Sequence, residues 1–445
     1  MAASDAPAGD PSARTADGAA ERDTAPEPAP EPARETAREP EPAETGSTEE
    51  PEPVQKPEPA SAGGRAGELP EPAGRRWCWG TRLLVAGTAL WTVLFVLHVT
   101  LVGRWQPWLV VEIVPPLTAV VVPLLLLAAV PFARPVRRWL SAVLVLLLLA
   151  GAHLAGFGWT GTTSDSARGT EVKVFAWSAD YWQMAAHDKD AFYDYLRRQD
   201  ADVYLLHEYL NWNYTNRDEQ QVCTSPVLID DKARLRAEFP GYRLLVQGEL
   251  LTLTRLPVVA APNQRVPSEG EDWYWKGSKS QRTDIRAGGR TVSFYNVHLP
   301  IRFRPCDIRY GWDRFRQASE FQEDWWTREL RRLRADLRGN SHPAVVAGDF
   351  NAAWMDHYPL GSGTRPHDPG GSLLPARTWP ACEGSCSLPQ SWRMLPQLWR
   401  FDWLFTSGDL AVSDYRLRGG EALSDHAAQK IRLVVPRKES SAHAR

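Results

Sequence analysis

The stretch VVAGDFNAAW, residues 345–354, is a short apolar strand that ends in Gly-Asp-Phe-Asn. Residues two apart on a strand point to the same side, so Asp349 and Asn351 are expected to present their side chains together. A carboxylate beside a neutral amide suits a hard metal ion or a phosphate. A strand-to-turn junction uses the same residue types for local hydrogen bonds. These residues alone leave both interpretations open, and the rest of the chain has to decide.

Other apolar strands in the same part of the chain also end in polar side chains. These are Glu208, His298, Asp402, and the pair Asp425 and His426. Glu208 could be an exposed strand end, and His298 a buried histidine with satisfied hydrogen bonds. Asp402 lies between Phe401 and Trp403, where a buried carboxylate needs a partner. Together the strand ends indicate one rim with carboxylates for a divalent cation and with imidazole and amide groups for a phosphate.

The secondary structure of this region alternates between short strands and helices. Apolar runs predict strands at 171–180, 201–210, 243–259 (two strands around Gly248), 290–300, 343–350, 399–407 and 426–435. Helical spacing of apolar residues predicts helices at 188–200 and 310–338, and residues 355–398 are rich in Gly and Pro and predict a long loop. The arginines of the second helix are interpreted as a solvated face rather than a binding patch.

Five motifs in this order carry a resemblance to a known family. They are LLHEYL, NVHLP, VVAGDFNA, FDWLFTS and LSDHAA, spread over 172–435. In this arrangement the region resembles the endonuclease/exonuclease/phosphatase superfamily. The resemblance implies an α/β fold, a four-layer α/β sandwich with two mixed sheets face to face and helices outside. It also implies a hydrolase of phosphoric ester or anhydride bonds that depends on Mg²⁺, with Mn²⁺ as an alternative.

The resemblance implies catalytic roles for five residues. Asp349 resembles the aspartate that positions or deprotonates the attacking water, and Asn351 the amide that contacts the phosphate. His298 resembles the histidine that stabilises the transition state or protonates the leaving group. Asp402 resembles the carboxylate that pairs with the terminal histidine, here His426.

The resemblance also implies a metal site, and the chain departs from the family pattern there. Glu208 resembles the metal-binding glutamate, and Asp425 an acid that can reach the metal. Ser178 stands where the family's first strand has an Asn, and His207 where a Gln precedes the Glu. A serine still presents an oxygen to a metal ion or to a metal-bound water. Ser178 therefore predicts weaker metal binding rather than an inactive domain, and a degenerate, inactive domain is the alternative.

Residues 1–74 differ sharply in composition from the rest of the chain. They contain 17 acidic and 6 basic residues and almost no large apolar side chains. Such a segment cannot bury enough apolar surface to offset its ordering entropy. The sequence therefore predicts a disordered, Pro/Glu/Ala-rich cytoplasmic tail.

Three long apolar runs follow the tail, at 83–103, 108–133 and 139–159. Each reaches the length of about 20 residues that crosses a hydrocarbon layer, and the second contains one charge, Glu112. Although a buried soluble helix would explain any one run, three in succession predict three transmembrane helices within 80–160. Arginines flank the runs on the side of the tail, so the positive-inside rule predicts a multi-pass protein with an extracytoplasmic domain at 170–436.

Charge and cysteine content restrict what the exterior domain does. From 160 to 445 the chain has 38 basic and 36 acidic residues, whereas nucleic-acid-binding domains usually show a basic excess. Four of the five cysteines fall there, and an exterior location favours disulfides, with Cys382–Cys386 and Cys223–Cys306 as the expected pairs and a zinc site as the alternative. The use of 8 Lys against 43 Arg indicates a bacterial origin.

The sequence as a whole predicts a membrane-anchored, outward-facing phosphoesterase. Because the linker after the third run is short, the substrate is expected to be a lipid-linked phosphate, a cell-wall precursor phosphate or a phospholipid headgroup. The architecture also resembles the membrane-bound VanJ-like members associated with glycopeptide resistance. The alternatives are an extracellular nuclease and a non-catalytic binding or signalling domain.

Overall fold

The structure is a computed structural model. It describes residues 77–158, 168–183, 189–217, 220–262, 272–302, 308, 311–370, 373–381, 395–419, 421 and 423–437. The predicted disordered tail, Cys306, Cys382, Cys386 and the side chain of Cys223 lie outside the described residues. The disulfide pairing therefore stays a prediction.

Nine α-helices are present among the described residues. They are α1 (Trp79–Leu101), α2 (Leu109–Glu112), α3 (Thr118–Ala129), α4 (Arg137–Leu154), α5 (Asp180–Gln183), α6 (Lys189–Arg198), α7 (Lys232–Glu238), α8 (Asp272–Trp275) and α9 (Trp312–Gly339). The first, third and fourth pack together around a common apolar cluster that includes Leu84, Val130 and Leu144. The two long helices predicted in the exterior region, at 188–200 and 310–338, correspond to α6 and α9.

Only two of the three predicted membrane spans are single helices of sufficient length. By length and composition, α1 and α4 could each cross a membrane. The run 108–133 is instead divided into α2 and α3, and the shorter apolar helix spans Thr118–Phe132. Pro115 and Pro116 lie between the two pieces, and proline removes a helical hydrogen-bond donor and clashes with the preceding turn. The prediction of three continuous spans is therefore not confirmed, because it fails at the second run.

Fourteen β-strands are present in the described part of the chain. They are β1 (Gly169–Ser178), β2 (Val203–His207), β3 (Leu210–Arg217), β4 (Gln220–Leu228), β5 (Arg243–Gln247), β6 (Leu250–Thr254), β7 (Val258–Ala260), β8 (Ser280–Ala287), β9 (Arg290–His298), β10 (Ala344–Asp349), β11 (Arg365–His367), β12 (Asp402–Thr406), β13 (Ala411–Arg418) and β14 (Ala428–Pro436). The hairpin β3–β4 and the strands β8, β11 and β13 were not predicted from the sequence. The alternation of apolar and polar residues in β3 (LNWNYT) was a missed signal.

The strands form two six-stranded mixed sheets and one hairpin. The first sheet has the order β13-β14-β1-β2-β6-β5 and the second the order β11-β12-β10-β9-β8-β7. Apolar side chains from both sheets meet in one buried cluster, for example Val174 and Leu205 with Phe294 and Val345. The other face of the first sheet packs against α6 and α7, and that of the second against α9. The mixed α/β class is confirmed.

Parallel pairing brings the candidate site residues to one end of the sheets. In the first sheet β1 and β2 run parallel, with Ser178 beside His207. In the second sheet β9 and β10 run parallel, with Asp349 beside His298. The antiparallel neighbour β12 begins where β10 ends, so Asp402 lies opposite Asp349.

Gly348, just before Asp349, is required by close packing of the backbone. Its φ is +144°, and a Cβ at this position would lie 1.9 Å from the carbonyl oxygen of Val297. Only glycine lets strands β9 and β10 approach this closely. The glycine of the Gly-Asp-Phe-Asn motif is therefore explained by backbone packing, whereas Asp349 and Asn351 belong to the candidate site.

Candidate active site

Asp402 and His426 form a buried pair that joins the two sheets. Asp402 begins β12 of the second sheet, and His426 lies just before β14 of the first. The Asp402 Oδ2 and His426 Nδ1 atoms are 2.8 Å apart, and both residues are buried. The structure therefore brings together the pair that the family resemblance implied.

Asp349 lies between two imidazole rings. Its Oδ2 atom is 3.9 Å from His298 Nε2 and 3.8 Å from His426 Nε2. Its Oδ1 atom accepts a hydrogen bond of 2.7 Å from the backbone N–H of Asn351. Both distances to the rings exceed hydrogen-bond length, so neither ring donates directly to Asp349 in this structure.

His298 is held by a chain of charges that the sequence did not reveal. Its Nδ1 atom is 3.2 Å from Glu249 Oε2, and the other oxygen of Glu249 forms a buried ion pair with Lys279. The Lys279 ammonium also lies over the ring of Tyr274, 3.5 Å from its centroid. Burial lowers the pKa of Lys279, and Glu249 acts in the opposite direction. The contact with Lys279 orients Glu249, which in turn orients His298.

The electrostatic environment divides these groups into cations and anions. Burial alone would lower the pKa of His426, but the carboxylates of Asp402 and Asp349 raise it well above its usual value. Burial also lowers the pKa of His298, but the carboxylate of Glu249 outweighs this effect and raises the pKa to about 9. His426 holds the pKa of Asp402 well below its usual range despite burial. At neutral pH two imidazolium rings therefore face one ionisable carboxylate, Asp349, whose pKa burial raises to about 6.

Glu208 lies at the predicted metal side of the site. Burial raises its pKa to about 7, and the nearby charges of Asp425 and Asp180 act in the same direction. Acids that destabilise one another's charge favour a cation between them. Among the described residues, the buried hydroxyl of Ser178 has no hydrogen-bond partner, so its oxygen is unused by this part of the fold.

These residues fit a divalent ion of the magnesium type. Among the described residues, no group of three or more His, Cys, Asp or Glu side chains has the spacing to hold a metal ion. Mg²⁺ commonly takes only one or two carboxylates and keeps several waters or substrate oxygens as its other ligands. Glu208 and Asp425 match that requirement, and Ser178 ends the strand that pairs with β2, which leads to Glu208.

Asp425 is fixed by an indole group. Trp379 Nε1 donates a hydrogen bond of 3.0 Å to Asp425 Oδ2, and the backbone N–H of Ala381 donates to the Asp425 carbonyl. The indole group therefore orients the carboxylate of Asp425. Trp379 lies in the segment that the sequence assigned to a long loop.

Two site residues adopt a backbone conformation that side chains rarely take. Glu208 has φ of 63° and Asn351 has φ of 49°, in the left-handed region where non-glycine residues are uncommon. Asn351 Nδ2 donates a hydrogen bond of 2.9 Å to the carbonyl of Leu299, which directs its amide oxygen away from the backbone. Such backbone strain often accompanies a functional site.

His207 has a structural role that its departure from the family pattern did not suggest. Its Nδ1 atom is 3.2 Å from Asn296 Oδ1 across the sheets, and its Nε2 atom is 4.0 Å from Asp402 Oδ1. Asn296 also donates to the carbonyls of Leu206 and Leu251. Asn296 stands between apolar residues in FYNVHL, and that buried polar position was the one signal available.

The comparisons with known proteins agree with this geometry at the level of the family. The model of the Endonuclease/Exonuclease/phosphatase family matches residues 183–426. Because that is more than half of the chain, the protein belongs to this family, whose members typically hydrolyse phosphoester bonds. No curated protein matches the chain.

Solved structures similar to the chain include proteins from animals and bacteria. Truncated TDP2 from Caenorhabditis elegans is 16% identical, and the match covers 60% of this chain and 98% of that one with a TM-score of 0.37. A family protein from Leptotrichia buccalis is 14% identical, and the match covers 59% of this chain and 100% of that one with a TM-score of 0.37. Beta toxin from Staphylococcus aureus is 12% identical, and the match covers 58% of this chain and 99% of that one with a TM-score of 0.36.

Proposed function

We propose that the protein is a membrane-anchored, outward-facing phosphoesterase that depends on a divalent metal ion. The observation that carries the catalytic part is the position of Asp349 between His298 and His426, each ring nitrogen within 4 Å of its carboxylate. A carboxylate that titrates near neutrality beside two raised-pKa imidazoles provides both a proton acceptor and proton donors.

The proposed reaction is attack of water on phosphorus with loss of an alcohol or phosphate leaving group. Asp349 accepts a proton from the attacking water as the new P–O bond forms. His298 donates a proton to the leaving oxygen as the old P–O bond breaks. His426, kept cationic by Asp402, and the amide of Asn351 stabilise the charge on the non-bridging oxygens.

The metal ion would be held by Glu208 and Asp425, with Ser178 contributing through its oxygen or a water. When bound, a divalent ion polarises the phosphoryl oxygen and offsets its negative charge. Asp425 contributes to the raised pKa of Glu208, and Trp379 keeps Asp425 oriented.

The proposed membrane anchor rests on the surface of the apolar helices. Large apolar side chains on α1, α3 and α4 are exposed, among them Leu90, Leu125 and Leu146 at 62%, 66% and 68%. Contiguous exposed apolar surface indicates a membrane or protein contact. With arginines on the side of the N-terminal tail, this supports a cytoplasmic tail and an extracytoplasmic domain in a bacterial cell.

A phosphate linked to a lipid or to a cell-wall precursor is the proposed substrate, and the VanJ-like role in glycopeptide resistance belongs to the same proposal. Ile301, which is 44% exposed, lines the pocket that also contains Glu208 and His298. An apolar rim beside a phosphate site suits an amphiphilic substrate better than a nucleic acid. The near balance of charge in the exterior part points the same way, because phosphate contacts along a nucleic acid need a basic surface.

The test uses the full chain in detergent or nanodiscs. Polyprenyl phosphate, polyprenyl pyrophosphate, a phospholipid and plasmid DNA are compared with Mg²⁺, with Mn²⁺ and with EDTA, and His298→Ala serves as the inactive control. We expect turnover of a lipid-linked phosphate that EDTA abolishes. Turnover in EDTA would overturn the metal dependence, and degradation of plasmid DNA at catalytic enzyme levels would establish the nuclease instead. No turnover of any substrate would favour the non-catalytic alternative.

A further inference from the structure

Glu112, the one charge of the second apolar run, is buried against the catalytic domain. Its carboxylate forms an ion pair with Arg302 and accepts a hydrogen bond of 2.9 Å from the hydroxyl of Tyr358. The backbone N–H of Gly103 donates to its other oxygen at 3.1 Å. A carboxylate in an apolar run is costly to bury without such partners. Its contacts therefore define a dedicated junction between the apolar helices and the domain.

The backbone around Glu112 takes part in the same junction. Trp354 Nε1 donates to the Glu112 carbonyl at 2.9 Å, and Trp399 Nε1 donates to the Ile113 carbonyl at 2.6 Å. Trp354 also packs with Val102 and Trp108. Residues 98–113 form what we call the docking segment, which joins the exterior end of α1 to α2.

The domain residues that bind the docking segment adjoin the active site in sequence. Arg302 follows His298 by four residues, Trp354 follows Asn351 by three, and Trp399 precedes Asp402 by three. All three lie on the connections that leave or enter the strands at the site end of the sheets. A displacement of the docking segment would therefore reach three site residues through short backbone links.

A second path joins the docking segment to Asp425. Trp399 and Phe401 are stacked at an interplanar angle of 15°, and the rings of Trp399 and Trp379 are 5.4 Å apart. Trp379 donates the hydrogen bond that orients Asp425. An aromatic group of three side chains thus extends from the Ile113 carbonyl to a proposed metal ligand.

We propose that Glu112 is a positioning residue, and that the docking segment fixes the loops carrying His298, Asn351 and Asp402 in their reactive arrangement. The proposal rests on the proposed function, since it assigns a role in that reaction. The catalytic domain is then held rigidly on the exterior end of the apolar helices, and its site keeps one orientation to that surface. The apolar helices thus anchor the domain and also help to fix the positions of the site residues.

Glu112→Gln is a suitable variant because it removes the charge and leaves most of the junction intact. Arg302 keeps its two contacts with Glu323, at 2.8 and 2.9 Å, so its charge stays paired. A glutamine can still accept the hydrogen bond from Tyr358. The matched control is Glu320→Gln, which removes a carboxylate from an exposed ion pair with Arg316.

The first measurement is hydrogen exchange of the full chain in nanodiscs without substrate. We expect at least about tenfold faster exchange in 299–302, 351–358 and 399–403 of Glu112→Gln, with β13 and β14 unchanged and with Glu320→Gln like the wild type throughout. Unchanged exchange in the three segments would overturn the proposal. Faster exchange across both sheets would also overturn it, because Glu112 would then stabilise the fold as a whole.

The second measurement is hydrolysis of bis(p-nitrophenyl) phosphate with Mg²⁺. Small misplacements of catalytic groups cost up to about 100-fold in rate, so we expect kcat to fall about 10- to 100-fold with KM unchanged. An unchanged kcat despite faster exchange would overturn the positioning role. A wild-type protein without turnover would count against the proposed function, whereas the exchange result decides the docking on its own.

Discussion

Replacing Asp402 with asparagine tests the active site most directly. The change keeps the shape of the side chain and removes the charge that His426 contacts at 2.8 Å. The new amide would also offer an N–H group to a ring nitrogen that now donates to a carboxylate. The variant therefore loses the charge-assisted bond and lowers the pKa of His426.

The magnitude follows from the kind of bond that is lost. A hydrogen bond to a charged group contributes about 1.5–3 kcal/mol, and about 1.4 kcal/mol corresponds to tenfold in rate. If that energy is expressed in the transition state, kcat falls about 10- to 100-fold. His426→Ala removes the imidazolium itself, and the loss of one group that stabilises charge in the transition state costs about 10²–10³-fold in kcat. The alanine variant is expected to be the slower of the two.

The pH dependence gives the sign of the effect. His426 and the general acid His298 both act in their protonated forms, so activity is lost as pH rises through the lower of their two pKa values. Asp402 raises the pKa of His426, so in Asp402→Asn we expect His426 to have the lower pKa of the two and the basic limb of the kcat profile to move to lower pH. The assay is hydrolysis of bis(p-nitrophenyl) phosphate between about pH 5 and 10 with saturating Mg²⁺, with folding checked by circular dichroism.

The pair also stabilises the fold over a defined pH range. The depressed pKa of Asp402 gives stabilisation that is present above its unfolded value, about 3.9, and is lost as pH falls through the folded value. The raised pKa of His426 gives stabilisation that is complete below about 6.5 and is lost as pH rises through the folded value.

A folded Asp402→Asn protein with near-normal kcat, or with a basic limb at higher pH, would refute the reasoning about this pair.

Three further variants test separate parts of the structure. Ser178→Asn restores the family residue and should lower the Mg²⁺ concentration needed for half-maximal activity; an unchanged requirement would remove Ser178 from the metal site. Glu249→Gln should lower the pKa of His298 from about 9, seen as an NMR titration midpoint at lower pH, and a midpoint that stays in place would contradict the charge chain. Gly348→Ala should destabilise the protein by about 3 kcal/mol, because its Cβ would meet the Val297 carbonyl. Its control is Gly339→Ala, which has no atom within 4 Å of the new Cβ, and equal thermal midpoints for the two variants would refute the packing argument.

The sequence predicted the site residues that lie at the ends of apolar strands. Asp349 and His298 follow runs of buried residues with a clear pattern, and parallel pairing brings such strand ends together. The helices α6 and α9 were located by a different pattern, the recurrence of apolar residues at helical spacing. The pattern within each strand or helix is local, so the sequence was sufficient to locate these elements, whereas the roles of the site residues rested on the family resemblance and stay predictions.

Contacts between distant segments could not be predicted in this way. Glu249 and Lys279 are 30 residues apart and follow no motif, and Trp379 lies 46 residues before Asp425 in a Gly/Pro-rich stretch. Their pairing depends on sheet order and on the path of loops. Glu112 was visible as an isolated charge, but its partner Arg302 lies 190 residues away, so the sequence could not assign it a function.

His207 explains how Asp402 keeps its charge available to His426. Asn296 donates through its nitrogen to two carbonyls, so its oxygen accepts from His207 Nδ1, which must carry the ring proton. Burial lowers the pKa of His207, although Asp402 acts in the opposite direction. A neutral ring with its proton on Nδ1 presents the Nε2 lone pair to Asp402 Oδ1. The two atoms stand 4.0 Å apart, and neither has a hydrogen-bond partner in the part of the chain that the structure describes, as two acceptors should. Since His207 gives Asp402 no proton, the carboxylate directs its one charge-assisted bond from an imidazole to His426.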